Sequence, residues 1–445
     1  MIKCGTCEII VTPSLGSSIP GRFEERLLTE IKDDLYVKAL VLESNGTKLI
    51  FVVVDALFVL AKEVERIRQR IYEFVGTPPE QIMISATHTH TGPPIWPDQD
   101  ETYLSLLVEK AADAAILACR RLKPARIGFG SGSETGISFN RRFWMKDGTV
   151  RTNPGFQHPE LLRPEGPADP EVFVVRIDDE QGQPIGVITN FACHLDTIGG
   201  TEASADFPGV LSRELKHMLG PQVVSLFLQG ASGNINHHNF LEPRSIIPNN
   251  YIRMGKILAG EVYRVREKIR LSESGQSIKL NADRCLFPLT YRKATEEEAE
   301  AALQALNDPE LSEIEKVLAQ RLLQTMNNPI HKAEMEIQAF RIGELAVAGL
   351  PGEIFAEFGL QLKQEAHIEG LLVNTLCNGT NTGYVCTKEA CKNGGYEPRL
   401  RNFSRNPPET GELFVEKTLE LLRRLRLQPN QSETLGEVNR MATTR

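Results

Sequence analysis

The strongest constraint on this chain is a series of short, near-continuous apolar runs, each of which empties into a polar residue. Leu49 to Val54 leads to Asp55, and Ile82 to Ile84 leads through Ser85 to His88. The stretch 185–192 (IGVITNFA) leads to His194, 223–228 (VVSLFL) to Gln229, and 345–350 (LAVAGL) to Glu353. Runs this short, unbroken by alternation, read as strands covered on both faces rather than as helices. Amphipathic helical segments fall between them: 62–75 (KEVERIRQRIYEFV), 101–121, one that Asp206 caps, and 249–270. The pattern predicts an α/β chain, a mixed sheet with flanking helices. In such sheets ligands collect beyond the carboxyl ends of the strands, so the repeated polar endings predict one convergent pocket.

Other stretches fill in the outline. Residues 35–54 read as a hairpin around Asn45-Gly46, and 336–350 as another around Gly343. A strand, helix, strand succession over 49–86 suggests a βαβ unit. The charged segment 294–327 reads as a helical hairpin inserted between strands, a solvated appendage rather than a catalytic piece. The Pro- and Gly-rich passage 144–170 is expected to be irregular, a loop or lid. A last helix runs from Thr410 to Leu425, no internal repeat is evident, and the expected organisation is one domain over 1–430 with a polar tail over 431–445.

With 445 residues of which 41% are hydrophobic, a sizeable core is available. A net charge of −8 argues against a nucleic-acid partner. No run reaches the roughly 18 apolar residues of a membrane span, so no membrane insertion is expected, and the N-terminus has no secretion signal, so the expected location is cytoplasmic. The eight cysteines are irregularly spaced and read as reduced thiols. Cys4 and Cys7 form a lone CxxC without the second half a zinc ribbon needs. Cys193 reads as core filling. The partner these features leave is a small-molecule substrate, and nothing in the sequence sets the oligomeric state.

The chemistry gathers at QIMISATHTHTGPP, residues 81–94. In extended chain, residues two apart face the same side, so His88 and His90 are positioned to share a pocket, and imidazole is the commonest zinc ligand. His88, with His194 and Glu353 at two other strand ends, forms a candidate His, His, Glu set for one metal ion such as Zn2+, with a position left for water. Histidines of this kind occur in other hydrolases. The HxHxDH of metallo-β-lactamase-like enzymes is absent, and a two-metal amidohydrolase barrel with a bridging lysine is the alternative, although the hairpins fit a barrel poorly.

The succession VTPSLGSSIPG, ISATHTHTGPP, FNRR, NFACH with SADFPGVL, FLQGASGNIN, GLPGE and NGTNTGYVCTKEACKNGGYE resembles, in order and over about residues 5–400, the catalytic domain of neutral (non-lysosomal) ceramidases. The resemblance implies a neutral-ceramidase-like fold carrying the inserted hairpin, and one zinc ion on His88, His194, Glu353 and Tyr384. It further implies His90 and Arg141 as polar groups about the scissile amide, and Tyr396 as donor to the developing oxyanion. Where those enzymes carry a loop serine, this chain has Asn236, which can donate a hydrogen bond but cannot act as a nucleophile. Arg142 stands where the family has a proline, and no C-terminal immunoglobulin-like domain is expected.

The expected function is therefore a zinc-dependent hydrolase using metal-activated water on an amide (or ester) of a small, soluble substrate, not necessarily ceramide. A non-catalytic metal- or ligand-binding protein on the same scaffold is the alternative. Ser232 is the hydroxyl nearest the old serine position, His237 and His238 either line the pocket or bond the loop, and Asp206 either caps its helix or orients His194.

Overall fold

The computed structural model describes residues 1–244, 247–328, 330–379, 382–401 and 404–427; the tail expected over 431–445 lies outside them. The apolar runs become strands because both of their faces are covered. Eight follow one another in hydrogen-bonded order: Val224–Gln229, Pro184–Phe191, Glu171–Asp179, Lys123–Ser133, Lys3–Ile10, Tyr36–Ser44, Thr47–Val54 and Ile82–Ala86. Lys3–Ile10 and Lys123–Ser133 are joined through just two residue pairs, Lys3 with Pro124 and Cys4 with Lys123. The eight therefore fold as two leaves of four. A separate sheet supplies a third leaf: Leu280–Thr290, Lys332–Ile342, Leu345–Gly349 and Gly370–Asn374.

All three leaves follow the same path. A long first strand is joined by an antiparallel second, a tight hairpin brings back the third, and a helix crosses over to a fourth strand parallel to the third. The crossover helices are Ala61–Val75, Asp206–Leu219 and Ala356–Glu365, and each leaf is closed by one more helix: Pro97–Arg120, Asn250–Lys268 and Thr410–Leu427. The chain is thus an internal threefold repeat, which the sequence reading did not find. What recurs is which face each apolar side chain takes, not its identity, and the segments between first and second strands differ in length (11–35, 134–170 and 291–331).

The inner faces of the leaves share one core, with Leu40, Leu42 and Phe51 from the first, Val175, Ile188 and Leu226 from the second, and Phe340, Val347 and Leu372 from the third. Phe51 meets Phe340 edge-on at 5.1 Å between centroids. The outer faces pack on the helices: Ala39, Val41 and Val52 in the first leaf, Val174, Val187 and Phe227 in the second, Ile337, Ala348 and Val373 in the third. Each fully buried Val, Leu or Phe stabilises the fold by about 1.5–3 kcal/mol. Both faces being apolar explains why the strands read as unbroken runs.

Cys4 and Cys7, three apart on one strand, point to opposite faces, Cys4 into the central core and Cys7 into the outer one. They share no site. The passage 144–170 departs from expectation: with Arg142 it forms a small antiparallel sheet of Arg142–Met145, Val150–Thr152 and Leu161–Pro164. Pro164 is tolerated there because its strand is at the edge and ends on it, while Phe143, Met145 and Phe240 form a satellite core beneath. The inserted hairpin consists of Glu296–Asn307 and Glu313–Met326, capped by Thr295 and Ser312, whose hydroxyls accept from the Glu298 and Glu315 amides. A three-leaved arrangement is not an eightfold barrel, which removes the amidohydrolase alternative. No described helix is long and apolar enough to cross a membrane.

Candidate metal centre and its pocket

The carboxyl ends of the three fourth strands are stitched to one another. Thr375 donates its amide to Gln229 O at 2.8 Å, Asn378 donates to Ile84 O at 2.7 Å, and Ser85 and Cys377 form a bridge. Each leaf delivers one side chain to this junction. In the first, the chain leaves Ile82–Ala86 and turns at His88, whose φ of 81° is uncommon for a residue with a β-carbon. Strain of this kind, of order 1–3 kcal/mol, persists where the surroundings enforce it; here the His88 amide bonds Ala56 O at 2.9 Å and its Nδ1 bonds Leu57 O at 2.8 Å. Its Nε2 is thereby turned to the junction. His194 follows the third strand of the second leaf, and Glu353 the third strand of the last.

The strands leading to His88 and His194 are eighth and second in the order of the two leaves, about 29 Å apart on a flat sheet at ~4.8 Å per strand. Yet their Nε2 atoms are 3.2 Å from each other. Glu353 Oε2 lies 3.4 Å from His88 Nε2 and 3.9 Å from His194 Nε2. Ligands ~2.0–2.1 Å from a tetrahedral zinc stand about 3.3–3.4 Å apart, so the triangle has the size of one face of such a site. Glu353 Oε2 and His90 Nε2 are buried without a hydrogen-bond partner, and ligand atoms of His88, His90 and His194 all fall within 4.8 Å of one another. Orphaned acceptors facing a common point fit a cation.

Protonation agrees. Burial, then the neighbouring His88, lowers the His90 pKa to about 4. Burial, then Arg141, holds His194 well below its ordinary value. Burial works against ionisation of Glu353, but His88, His194 and Arg141 outweigh it and draw its pKa down. Neutral imidazoles beside an ionised carboxylate are the states metal binding needs. Tyr384 sits beside Glu353 in a two-residue parallel ladder, and its phenol is pushed up by burial and by the Glu353 charge, against the pull of Arg141.

His90 is held by the N-terminal segment. Its Nδ1 bonds Gly21 O at 2.9 Å, and Arg26, buried, donates to both Pro20 O and His90 O at 2.7 Å. Gly21 has φ +95°, and a β-carbon there would lie 2.8 Å from His90 Nδ1. Gly21→Ala is accordingly expected to push the imidazole aside, shifting the His90 ring signals in an NMR spectrum of the folded protein. An unshifted His90 ring would show that the segment does not set it.

Arg141, like His194, is set back from the cavity lining; its Nε donates to Glu397 Oε1 at 2.8 Å and its Nη2 to Gly233 O at 2.7 Å, with its guanidinium 5.5 Å from the Tyr384 ring centre. Glu397 also takes Arg142 Nη1 at 2.7 Å and Thr152 Oγ1 at 2.8 Å, and Arg142 pairs with Glu165 as well. Tyr396 does line the pocket; its ring lies 5.9 Å from that of Tyr384, with Arg401 4.2 Å over it. Asn236 is not brought in. Its amide donates to Asn153 Oδ1 at 2.7 Å and accepts the His238 amide at 2.9 Å. Ser232 accepts from Gln229 Nε2 at 2.6 Å, and neither His237 nor His238 borders the pocket; His237 instead faces Asp196 at 3.4 Å. Asp206 takes the Thr197 amide and that of Phe207 at its own helix start, and no hydrogen bond joins it to His194. Asp55, another polar strand end, bonds the Tyr36 amide and is pushed up to about 6 by burial.

Gly21, Arg26, Glu397 and Asp196 escaped the sequence reading. Gly21 closes the quoted VTPSLGSSIPG motif, Asp196 follows His194 by two and Glu397 adjoins Tyr396, so proximity was the available signal; Arg26 had none.

The cavity in front of these groups measures about 800 Å3. Leu57, Phe58 and Trp96 form an apolar wall, Phe58 and Trp96 edge to face at 5.2 Å. The 15–27 segment, Tyr384, Tyr396 and Arg321 form much of the rest.

No family profile matches the sequence. The chain is 23% identical over 460 residues to the neutral ceramidase of Pseudomonas aeruginosa, a match covering 88% of this chain and 67% of that one. It is 21% identical over 203 residues to neutral ceramidase A of Dictyostelium discoideum, covering 43% of this chain and 27% of the relative's length. The crystal structure of the Pseudomonas neutral ceramidase superposes with a TM-score of 0.75 at 20% identity, covering 96% of this chain and 74% of that one. A ceramidase complexed with C2 superposes at 0.76 and 19% identity, covering 96% and 75%. The chain is homologous to neutral ceramidase and has its mixed α/β fold.

Proposed function

We propose that the chain is a zinc-dependent hydrolase acting on an amide, or the matching ester, of a small soluble substrate in this pocket. The observation that carries the reading is the triangle of His88 Nε2, His194 Nε2 and Glu353 Oε2 with the unpartnered His90 Nε2 beside it. Those three residues and Tyr384 would hold one Zn2+, which when bound polarises a carbonyl and lowers the pKa of water to about 7. His90, neutral at physiological pH and fixed through Nδ1, receives a proton at Nε2 and returns it to the leaving group. Tyr396 donates its hydroxyl to the carbonyl oxygen as charge develops there. Arg141 works from behind, its charge favouring the ionised forms of Tyr384 and Glu353. With the Asn236 amide committed elsewhere, its loop contributes no nucleophile.

The homology to neutral ceramidase supports an amide as the bond cleaved. Eight free thiols support a reducing, cytoplasmic setting. The test is turnover by the zinc-loaded chain of a panel of N-acyl amides and matched esters, a short-chain ceramide among them. Activity is expected to vanish with a chelator, return with zinc, and fall roughly 10²–10⁴-fold in His90→Ala with zinc retained. Failure of the whole panel, or turnover indifferent to zinc, would leave a binding protein on the same scaffold.

A further inference from the structure

The inserted helical hairpin is not the solvated appendage its composition suggested, because its second helix, Glu313–Met326, sends Arg321 into the pocket wall. The guanidinium lies 5.0 Å over the Phe23 ring, Phe23 stands edge-on to Tyr396 at 6.1 Å, and Tyr396 to Tyr384 at 5.9 Å. A row of rings thus runs from Arg321 to Tyr384, beside Glu353.

The other charges of the wall do not compete for this place. Arg22, Glu24, Glu25 and Asp98 are exposed at the rim. Asp100 accepts the Tyr103 amide at 2.8 Å, and Glu353 belongs to the metal centre. Among the described lining residues Arg321 is half-buried where Arg22 is exposed; burial lowers its pKa, Tyr396 raises it and Arg401 lowers it again. A partly desolvated guanidinium gains from anionic oxygens, to which its planar fork donates two hydrogen bonds at a time. The Leu57, Phe58 and Trp96 wall offers the apolar counterpart.

We propose that Arg321 is a specificity residue: the substrate joins an apolar acyl portion to a portion bearing a carboxylate or phosphate, which Arg321 holds beside Phe23 and Tyr396. This rests on the hydrolase reading for the scissile bond, but the subsite itself is read by binding.

The experiment titrates the zinc-loaded full chain with N-hexanoylglycine, N-hexanoyl-O-phosphoethanolamine and the neutral N-hexanoylglycinamide by isothermal titration calorimetry. One or both anionic probes are expected to bind at least ~10-fold more tightly than the neutral one. Arg321→Met, which keeps a stem over Phe23, is expected to abolish that preference without weakening the neutral probe, and Arg321→Lys to restore part of it. The stronger anion identifies carboxylate or phosphate. Equal binding of all three, no binding of any, or a preference that survives in Arg321→Met overturns the proposal. Selective binding without hydrolysis removes the enzyme and keeps the subsite; hydrolysis without selectivity does the reverse.

Discussion

If the centre binds zinc as proposed, His194→Ala is expected to give a folded protein that takes up none. Partners that merely orient a metal ligand are worth about 10–100-fold in metal affinity, and removing a ligand whose Nε2 lies 3.2 Å from that of His88 is expected to cost more. Folding should be spared, since His194 Nδ1 has no protein partner to lose. The decisive comparison is thermal. Saturating zinc at about 1,000 times Kd stabilises a protein that binds it only when folded by ~4 kcal/mol, so the wild-type midpoint rises on zinc addition and that of His194→Ala does not. A variant that retains one zinc per chain after gel filtration would remove His194 from the centre.

The second large effect is expected at Glu397, which is buried completely and bridges Arg141 and Arg142. Burial opposes its ionisation, but the two guanidiniums and Thr152 outweigh it and hold its pKa below the usual carboxylate range. Glu397→Ala leaves Arg141 without its carboxylate and Arg142 with Glu165 alone, at a cost of about 3–5 kcal/mol. Glu397→Gln keeps the volume and one acceptor oxygen and is expected to fall between the two. Urea midpoints by circular dichroism rank the three proteins, and an Ala variant as stable as wild type would mean that the arginines find other partners.

The doubly covered strands announce themselves in the sequence because both faces need apolar side chains, so Phe51 and Val52 are equally buried while facing different cores. His88, His194 and Glu353 could be singled out because each closes such a run. What brings them together is less visible: a two-pair join at Lys3 and Cys4 lets two leaves fold over, and no residue there signals a bend. The strands within 142–164 were hidden for a different reason. They are three or four residues long, and Phe240, far along the chain, supplies the packing that holds them. Which way the Asn236 amide points was not legible, because a position in a motif does not give it; Asn153, which accepts from its Nδ2, does. Arg321 was passed over because a charged helix reads as solvated whether or not one residue of it is turned inward.

Of the residues proposed to hold the ion, His88 and His194 come one from each of the first two thirds of the repeat, while Glu353 and Tyr384 arrive only with the third. During synthesis the first two thirds can acquire their hairpins and crossovers from neighbouring chain, yet the ion's cage stays open until translation is nearly over. If the centre holds zinc as proposed, its capture would be a late checkpoint: prematurely stopped chains would remain metal-free, and a loaded centre would certify that all three thirds have docked.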